Sequence, residues 1–344
     1  MDRDVRVAII GCGAVTELGH LPAAPRVHGA RITLLVDPNA ARRDRLARMF
    51  RVERTAGDAS ECPDAFDAAI VAAPHTLHAP ITIQLAALGK SILVEKPMAS
   101  TPAECLAMID AAEENGVVLA VGLMRRFLWG HQFARKAIAS GTFGAVRTFD
   151  IQEGGDFWWP IASDFFFRKE TAGGGVLVDA GAHTLDMLLQ LLGPVAEVDY
   201  FDDDEGGVEA NAVLELRMQS GALGTVEFSR MRRLRNTAVI RMERAEMEVA
   251  LNWNEVKLSL PHEPFVAGGP VMHRLAPDAT QDYLTEIADQ MQDFVDAIRD
   301  GRRPFVDPHS VLGSIQLMET CYRRRQRLVM PWEAAEVPLS PVLQ

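Results

Sequence analysis

The stretch Val5-Arg6-Val7-Ala8-Ile9-Ile10-Gly11-Cys12-Gly13-Ala14-Val15-Thr16 decides the fold. Its first half is apolar and β-branched, the composition of a strand buried on both faces. A glycine turn follows at once, and the residues from there towards Val27 read as a helix. Strand, glycine turn and helix in that order form the context that a dinucleotide-binding fingerprint needs. Gly11 permits the tight turn. Gly13 lets the backbone approach a pyrophosphate held at the helix N-terminus, with Ala14 and Val15 completing the cofactor contact. Thr16 departs from the pattern, standing where Gly or Ala is usual. It either loosens the packing of helix on strand or offers its hydroxyl to the ligand.

The next unit strengthens the reading. Arg31–Val36 is a second strand ending in Asp37, about 20 residues after the glycines, where an acid receives the adenosine ribose hydroxyls. The competing reading of Asp37 is an Asp-Pro turn leading into a helix. A carboxylate there repels a 2′-phosphate and favours NAD; Arg42 and Arg43 close behind offset the repulsion and leave NADP open. Ala68–Ala73, Ser91–Val94 and Val117–Val121 read as further strands, with helices between them. Thr101-Pro102-Ala103-Glu104 starts one of these helices with a cap, a proline at the first position and an acid at the third. Strand alternating with helix implies an α/β fold: a doubly wound parallel sheet with its ligand at the strand C-terminal ends.

Beyond Gly122 the texture changes. A helix over about 130–140 and a strand from Val146 precede an aromatic loop, Phe157-Trp158-Trp159-Pro160 and Phe165-Phe166-Phe167. The alternating segments Val195–Phe201, Val213–Met218, Gly224–Phe228, Ala238–Met242, Glu246–Leu251 and Val256–Leu260 predict an α+β domain with a largely antiparallel open sheet. Helices near 281–299 and 308–325 close the chain. The domains are expected at 1–124, dinucleotide-binding, and 125–344, substrate-binding and dimerising. Between the loop and the sheet lies Gly173-Gly174-Gly175, leading to Asp179, His183 and Asp186. A helix starting near Gly174 stacks Asp179 and His183 one turn apart, with Asp186 on the same stripe. An acid and an imidazole so held suit proton transfer. The same spacing also fits a core histidine and a helix-terminus acid.

Composition narrows the classes. At 344 residues the chain suits two domains, and 48% hydrophobic with 24% charged residues describes a globular protein. A net charge of −12 argues against a nucleic-acid partner. The densest basic patches, Arg323-Arg324-Arg325 and Arg230-Met231-Arg232-Arg233, are short and read as solvated faces or interface residues. No apolar run approaches the roughly 20 residues that span a bilayer, and Met1-Asp2-Arg3-Asp4 lacks a signal-peptide profile. Cys12, Cys62, Cys105 and Cys321 are scattered, without metal-type spacing, so a reduced, cytoplasmic protein with no membrane partner is expected.

Glu95-Lys96-Pro97-Met98, at the end of the fourth strand, adds the element that identifies a family. With the glycine fingerprint before it and Gly173–Asp186 after it, the chain resembles the Gfo/Idh/MocA oxidoreductases (glucose–fructose oxidoreductase/inositol dehydrogenase-like). The resemblance runs nearly end to end, through Tyr322 and Val329-Met330-Pro331. It implies a Rossmann domain followed by a mixed-sheet domain whose open face makes a homodimer or homotetramer. It implies that Lys96 reaches the substrate beside the nicotinamide, that Pro97 follows a cis bond, and that Asp179 and His183 are the family's acid and histidine. Ala73, His75 and His78 fall where the family's loop passes the nicotinamide ribose, although the histidines also suit capping of the next helix. Glu95 lies on the same cofactor side and also reads as a loop-holding residue. Arg125 falls at the cleft edge as a substrate contact, with Arg126 structural, and Trp158 is placed to stack on a sugar ring or to fill core.

The implied reaction moves a hydride between nicotinamide and a secondary alcohol or ketone of a sugar, polyol or keto-sugar. Neutral His183 suits the proton acceptor, and Lys96 bonds the same oxygen to stabilise its alkoxide character. Asp179 bonds another hydroxyl or orients His183. No metal is expected, since Asp179, His183 and Asp186 make a poor ligand set. Two other readings stay open: an NAD-dependent glycosidase that oxidises its substrate transiently, and a non-catalytic sensor of nucleotide or sugar.

Overall fold

The apolar runs of the first 122 residues pair side by side in parallel. The strands are β1 (Val5–Ile10), β2 (Ala30–Val36), β3 (Arg54–Ala56), β4 (Ala68–Val71), β5 (Ser91–Glu95) and β6 (Leu119–Gly122), in the order β3-β2-β1-β4-β5-β6. That order reverses direction at β1 and β4, the place where a doubly wound sheet opens its ligand crevice. Alternation along β1 sends Ala8 and Ile10 to one face and Val7 and Ile9 to the other, and both faces are buried. The computed structural model describes residues 3–157, 159–160, 164–260, 271–275 and 283–329.

Ala8 and Ile10 pack under α3 (His78–Ala87) and α4 (Pro102–Glu114). Val7 and Ile9 pack under α1 (Leu21–Ala23) and α2 (Ala40–Phe50), joined by a helix from the end of the chain. The start of α4 carries the expected capping box, with Thr101 Oγ1 accepting from the Glu104 amide and Glu104 accepting from the Thr101 amide. The helix expected after Gly13 is composite. A π-turn over Thr16–His20 passes into α1 and then a 3-10 turn over Ala24–Arg26. Pro22 and Pro25 lack the amide protons that a regular ladder would need there.

The second sheet uses β7 (Val146–Gly154), β8 (Val195–Asp202), β9 (Asn211–Met218), β10 (Leu223–Ser229), β11 (Thr237–Met242), β12 (Glu246–Ala250), β13 (Val256–Leu260), β14 (Val271–Leu275) and β15 (Gln326–Arg327). Its order is β14-β13-β12-β11-β7-β10-β9-β8-β15. It is largely antiparallel, with parallel pairs at its centre, β7 with β10, and at one edge, β8 with β15. The helices of this half are α5 (Trp129–Ala139), α6 (Lys169–Ala172), α7 (Val176–Leu192), α8 (Tyr283–Asp300) and α9 (Leu312–Arg323). Leu177, Leu185 and Leu188 of α7 share a core with Leu214, Val226 and Phe228 of the sheet. Alternate charged positions pair across neighbouring strands, as in Arg241–Glu246 and Lys257–Glu248.

α8 leaves this half and returns to the first sheet, burying Ile287, Met291 and Phe294 beside Val7 and Ile9. β3, β14 and β15 carry no alternation that the sequence made visible. β4, expected over Ala68–Ala73, ends at Val71, because the chain turns into a 3-10 turn over His75–Leu77. Trp158, Met330 and Pro331 lie outside the described residues. Among those described, no helix is long and apolar enough to cross a membrane.

Candidate functional site

At the C-terminal end of β1, Gly11 takes φ +100°, and a Cβ there would sit 2.3 Å from the carbonyl oxygen of Ala72. No L-residue with a side chain fits that turn without strain. A Cβ on Gly13 would meet nothing within 4 Å, so the turn is open in front of the helical segment that begins beside Ala14 and Val15. Thr16 is fully buried and donates its hydroxyl to the Gly11 carbonyl at 2.6 Å. The hydroxyl therefore fastens the turn rather than facing a ligand. Asp37 leans back on the same turn: Oδ2 accepts from the Cys12 amide at 2.9 Å and Oδ1 from the Asn39 amide at 2.8 Å. A carboxylate oxygen has two lone pairs, and each of these amide bonds uses one. Arg42 lies 3.6 Å from Oδ2, and Arg43 donates to the Asp37 carbonyl at 2.8 Å. An open glycine turn at a helix start, flanked by a carboxylate, fits an NAD.

β5 delivers Glu95 and Lys96 beside that turn, and the Lys96-Pro97 peptide is cis. Glu95 is buried, pairs with His20 Nε2 at 2.9 Å and accepts from the Lys96 amide at 3.1 Å. Burial alone would raise its pKa, but the His20 hydrogen bond and the nearby His20 and Lys96 charges hold it below the ordinary value. Lys96 Nζ crosses to α7, donating to Asp179 Oδ1 at 2.7 Å and to the Asp179 carbonyl at 3.0 Å. Arg230, from the end of β10, donates to Asp179 Oδ2 at 3.0 Å. Both Asp179 oxygens are thus occupied by cations, one turn before His183. Burial opposes ionisation of Asp179, yet Lys96 and Arg230 hold its carboxyl well below the usual carboxylate range.

His183 is buried, and its Nδ1 has no hydrogen-bond partner among the described residues. Burial, with the positive charges of Arg125 and Lys96 and the neighbouring His131, pushes its pKa well below the ordinary histidine value. The ring is neutral at physiological pH. A pocket of about 500 Å³, part of it open solvent, adjoins His183 between Leu123, Arg125, His131 and Met187. Arg125 lines this pocket but is already engaged, donating to Glu153 at 2.5 and 3.1 Å and to Thr184 at 3.3 Å. Arg126 binds Asp186 through two bonds of 2.7 and 2.5 Å, which makes that pair part of the scaffold.

The two histidines after β4 tie loops together. His78 has Nδ1 2.8 Å from the Pro97 carbonyl and Nε2 2.9 Å from that of Ala73, joining the loops that follow β4 and β5. His75 Nδ1 lies 2.9 Å from the Ala172 carbonyl, so it links the first sheet to the segment before α7, and its ring meets Phe165 and Phe166 edge-on. Burial pushes His75 down to about 3.

The glycines before α7 are there for close approach. A Cβ on Gly175 would lie 2.0 Å from the Glu209 carbonyl oxygen, and one on Gly174 would lie 2.0 Å from the Tyr322 hydroxyl. Glu209 accepts from the Gly175 and Leu177 amides at 2.8 and 3.0 Å, capping α7 from a distant loop, and accepts from Tyr322 at 2.8 Å. Sequence reasoning missed Arg230, Glu209, Glu153 and His20. Arg230 stood in a patch read as a solvated face or interface residues. The other three carry no local pattern, since their partners are distant in the chain.

Residues 5–123 match the model of an oxidoreductase family with an NAD-binding Rossmann fold, and residues 131–248 match the GFO/IDH/MocA C-terminal domain. The chain is 26% identical over 322 residues to scyllo-inositol 2-dehydrogenase (NAD(+)) of Bacillus subtilis (strain 168), covering 89% of this chain and 90% of that protein. It is 29% identical over 200 residues to D-glucoside 3-dehydrogenase of Escherichia coli (strain K12), covering 55% of this chain and 54% of the relative. A solved levoglucosan dehydrogenase, in complex with NADH and levoglucosan, shares the fold with a TM-score of 0.83 at 23% identity, over 94% of this chain and 97% of that one.

Proposed function

The chain belongs to the Gfo/Idh/MocA oxidoreductase family, and on that premise we propose that it moves a hydride between NAD and a secondary alcohol or ketone of a sugar, polyol or keto-sugar. One observation carries the reading: Lys96 at the end of β5 meets Asp179 one turn before a buried, neutral His183, beside an open glycine turn. NAD, when bound, supplies the hydride acceptor or donor. Gly11, Gly13, Ala14, Val15 and Asp37 hold its pyrophosphate and adenosine ribose. Ala73, His75, His78 and Glu95 shape the loops at its nicotinamide end.

In the oxidative direction the substrate C–H bond breaks with its electron pair and the hydroxyl proton passes to the His183 imidazole, leaving a carbonyl. Negative charge growing on the substrate oxygen favours the imidazolium that burial and the nearby cations disfavour. Lys96 donates a hydrogen bond to that oxygen as the charge grows. Asp179 keeps the ammonium in place. Arg125, held by Glu153, borders the substrate pocket. The same reading divides the chain into a cofactor domain, residues 1–124, and a substrate domain, residues 125–344, that assembles into a homodimer or homotetramer through its open sheet. The free cysteines Cys12, Cys62, Cys105 and Cys321 support a reduced, cytoplasmic setting.

A panel of inositols, aldoses, keto-sugars and glucosides, assayed for reduced nucleotide with NAD and NADP in parallel, tests the proposal. At least one compound is expected to yield NADH, with NAD preferred because the Asp37 carboxylate would repel a 2′-phosphate. Glycoside cleavage without net NADH, or nucleotide binding without turnover of any compound, would overturn it.

A further inference from the structure

We propose that Arg230 is a positioning residue of the hydride-transfer site: it takes one oxygen of Asp179, so that the Lys96–Asp179–Arg230 cluster keeps a net positive charge facing the substrate oxygen. The inference rests on the reading of Lys96, Asp179 and His183 above. A Lys96–Asp179 pair by itself would be neutral, and a neutral pair offers little electrostatic stabilisation to an oxygen becoming anionic. Adding Arg230 leaves two cations on one carboxylate. His183 adds no charge, and the neighbouring Arg125 is balanced by Glu153. Glu95, the other carboxylate beside Lys96, is taken up by His20 at 2.9 Å, so within the Lys96–Asp179–Arg230 cluster itself the cations exceed the carboxylate by one.

The geometry of Arg230 is that of a group built into place. Its Nη2 donates to Asp179 Oδ2 at 3.0 Å and to the Gly175 carbonyl at 3.3 Å, on the residue that precedes α7. Its guanidinium carbon lies 5.3 Å from the centre of the Phe157 ring, a cation–π contact. Its side chain is only 12% exposed. The rest of the basic run is spent elsewhere: Arg232 on Glu227 at 2.7 Å, Arg233 with 88% exposure near Asp156, and Arg235 on Asp150. A planar, permanently charged fork suits this position because it bonds carboxylate and carbonyl together while lying against a ring.

Asp179 is held from both sides, with Lys96 at 2.7 Å on Oδ1 and Arg230 on Oδ2. Loss of Arg230 would free Oδ2 and leave the whole carboxylate charge on Lys96. The cost falls on the transition state, where Lys96 meets a negative oxygen, more than on the bound ground state. Arg230→Met is therefore expected to lower kcat roughly 10- to 100-fold, a fraction of what loss of a direct oxyanion donor costs. KM, NADH affinity by fluorescence titration and Tm should change little. Arg230→Lys should restore most of kcat. Arg230→Gln, which keeps a donor without charge, serves if the Met variant does not fold and should lose kcat as the Met variant would.

An Arg230→Met or Arg230→Gln enzyme with wild-type kcat would overturn the proposal. So would a loss that follows Tm and is not recovered by lysine, which is the mark of a scaffold role. Lys96→Ala, measured alongside, separates the two levels. Full activity there sinks the reading of the whole site; lost activity there with wild-type kcat in Arg230→Met sinks only the role of Arg230.

Discussion

His183 is available as a base because its surroundings refuse it a second proton. Buried, with Nδ1 unbonded among the described residues and positive charge on Arg125 and Lys96 nearby, it stays neutral. Replacing it by alanine is expected to lower kcat by about 10²- to 10⁴-fold, the usual worth of a positioned acid–base group, and to leave NADH affinity in a fluorescence titration unchanged. Unchanged turnover would remove His183 from the mechanism. At the cofactor end, Gly11→Ala places a Cβ 2.3 Å from the Ala72 carbonyl at φ +100°. The same titration should then find NADH binding lost or greatly weakened. The Asp179 and His183 pair was legible in the sequence because one helical turn separates them. Arg230 was not, because its partner lies 51 residues away and a run of arginines looks alike whether it is solvated or buried.

α7 is the element on which the site depends, and its N-terminus is fixed from outside. Glu209 caps it through the Gly175 and Leu177 amides, and Tyr322 donates to the same carboxylate. Gly175→Ala puts a methyl 2.0 Å from the Glu209 backbone, which cannot swing aside as a side chain could. A loss of about 1–3 kcal/mol is expected from the denaturant midpoint, with a fall in kcat as Asp179 moves off Lys96. A midpoint equal to wild type would mean that this close approach does not hold α7. The three glycines allow close approach, and the Glu209 backbone and the Tyr322 hydroxyl pass where side chains on Gly175 and Gly174 would stand. Longer elements were legible for ordinary reasons. β1, β4 and β5 are buried on both faces and read as largely apolar runs, and the α4 capping box is encoded within four residues. β3 has three residues and β15 two, too few to carry a period.

At the scale of the molecule, the parallel sheet and the mixed sheet are tied together by α8, which buries Ile287, Met291 and Phe294 against β1 although it lies nearly 300 residues along the chain. No pattern in the sequence assigns that helix to one sheet or the other; only the apolar face of the first sheet does. The whole chain also stores a pH response. Burial first, then neighbouring charge, holds His75 at about 3, His131 at about 4, and His78 and His183 below 6.5. Below pH 6.5 the unfolded chain binds protons on these rings that the folded chain refuses. Stability is therefore complete above that pH and falls as pH drops, by about 1.4 kcal/mol per ring per pH unit. The lowered carboxyls Asp67 and Asp179 add their loss only below about pH 4. Thermal unfolding should show Tm declining from about pH 6.5 downward; a flat Tm to pH 4.5 would mean that these rings protonate in place. The most direct measurement of the central claim follows the hydrogen itself. Once a substrate is in hand, it is deuterated at the reacting secondary carbon, incubated with enzyme and NAD, and the products are weighed by mass spectrometry. The expected result is one deuterium on the reduced nicotinamide and none at the new ketone carbon; deuterium retained in the sugar product, or lost to water, would contradict net hydride transfer.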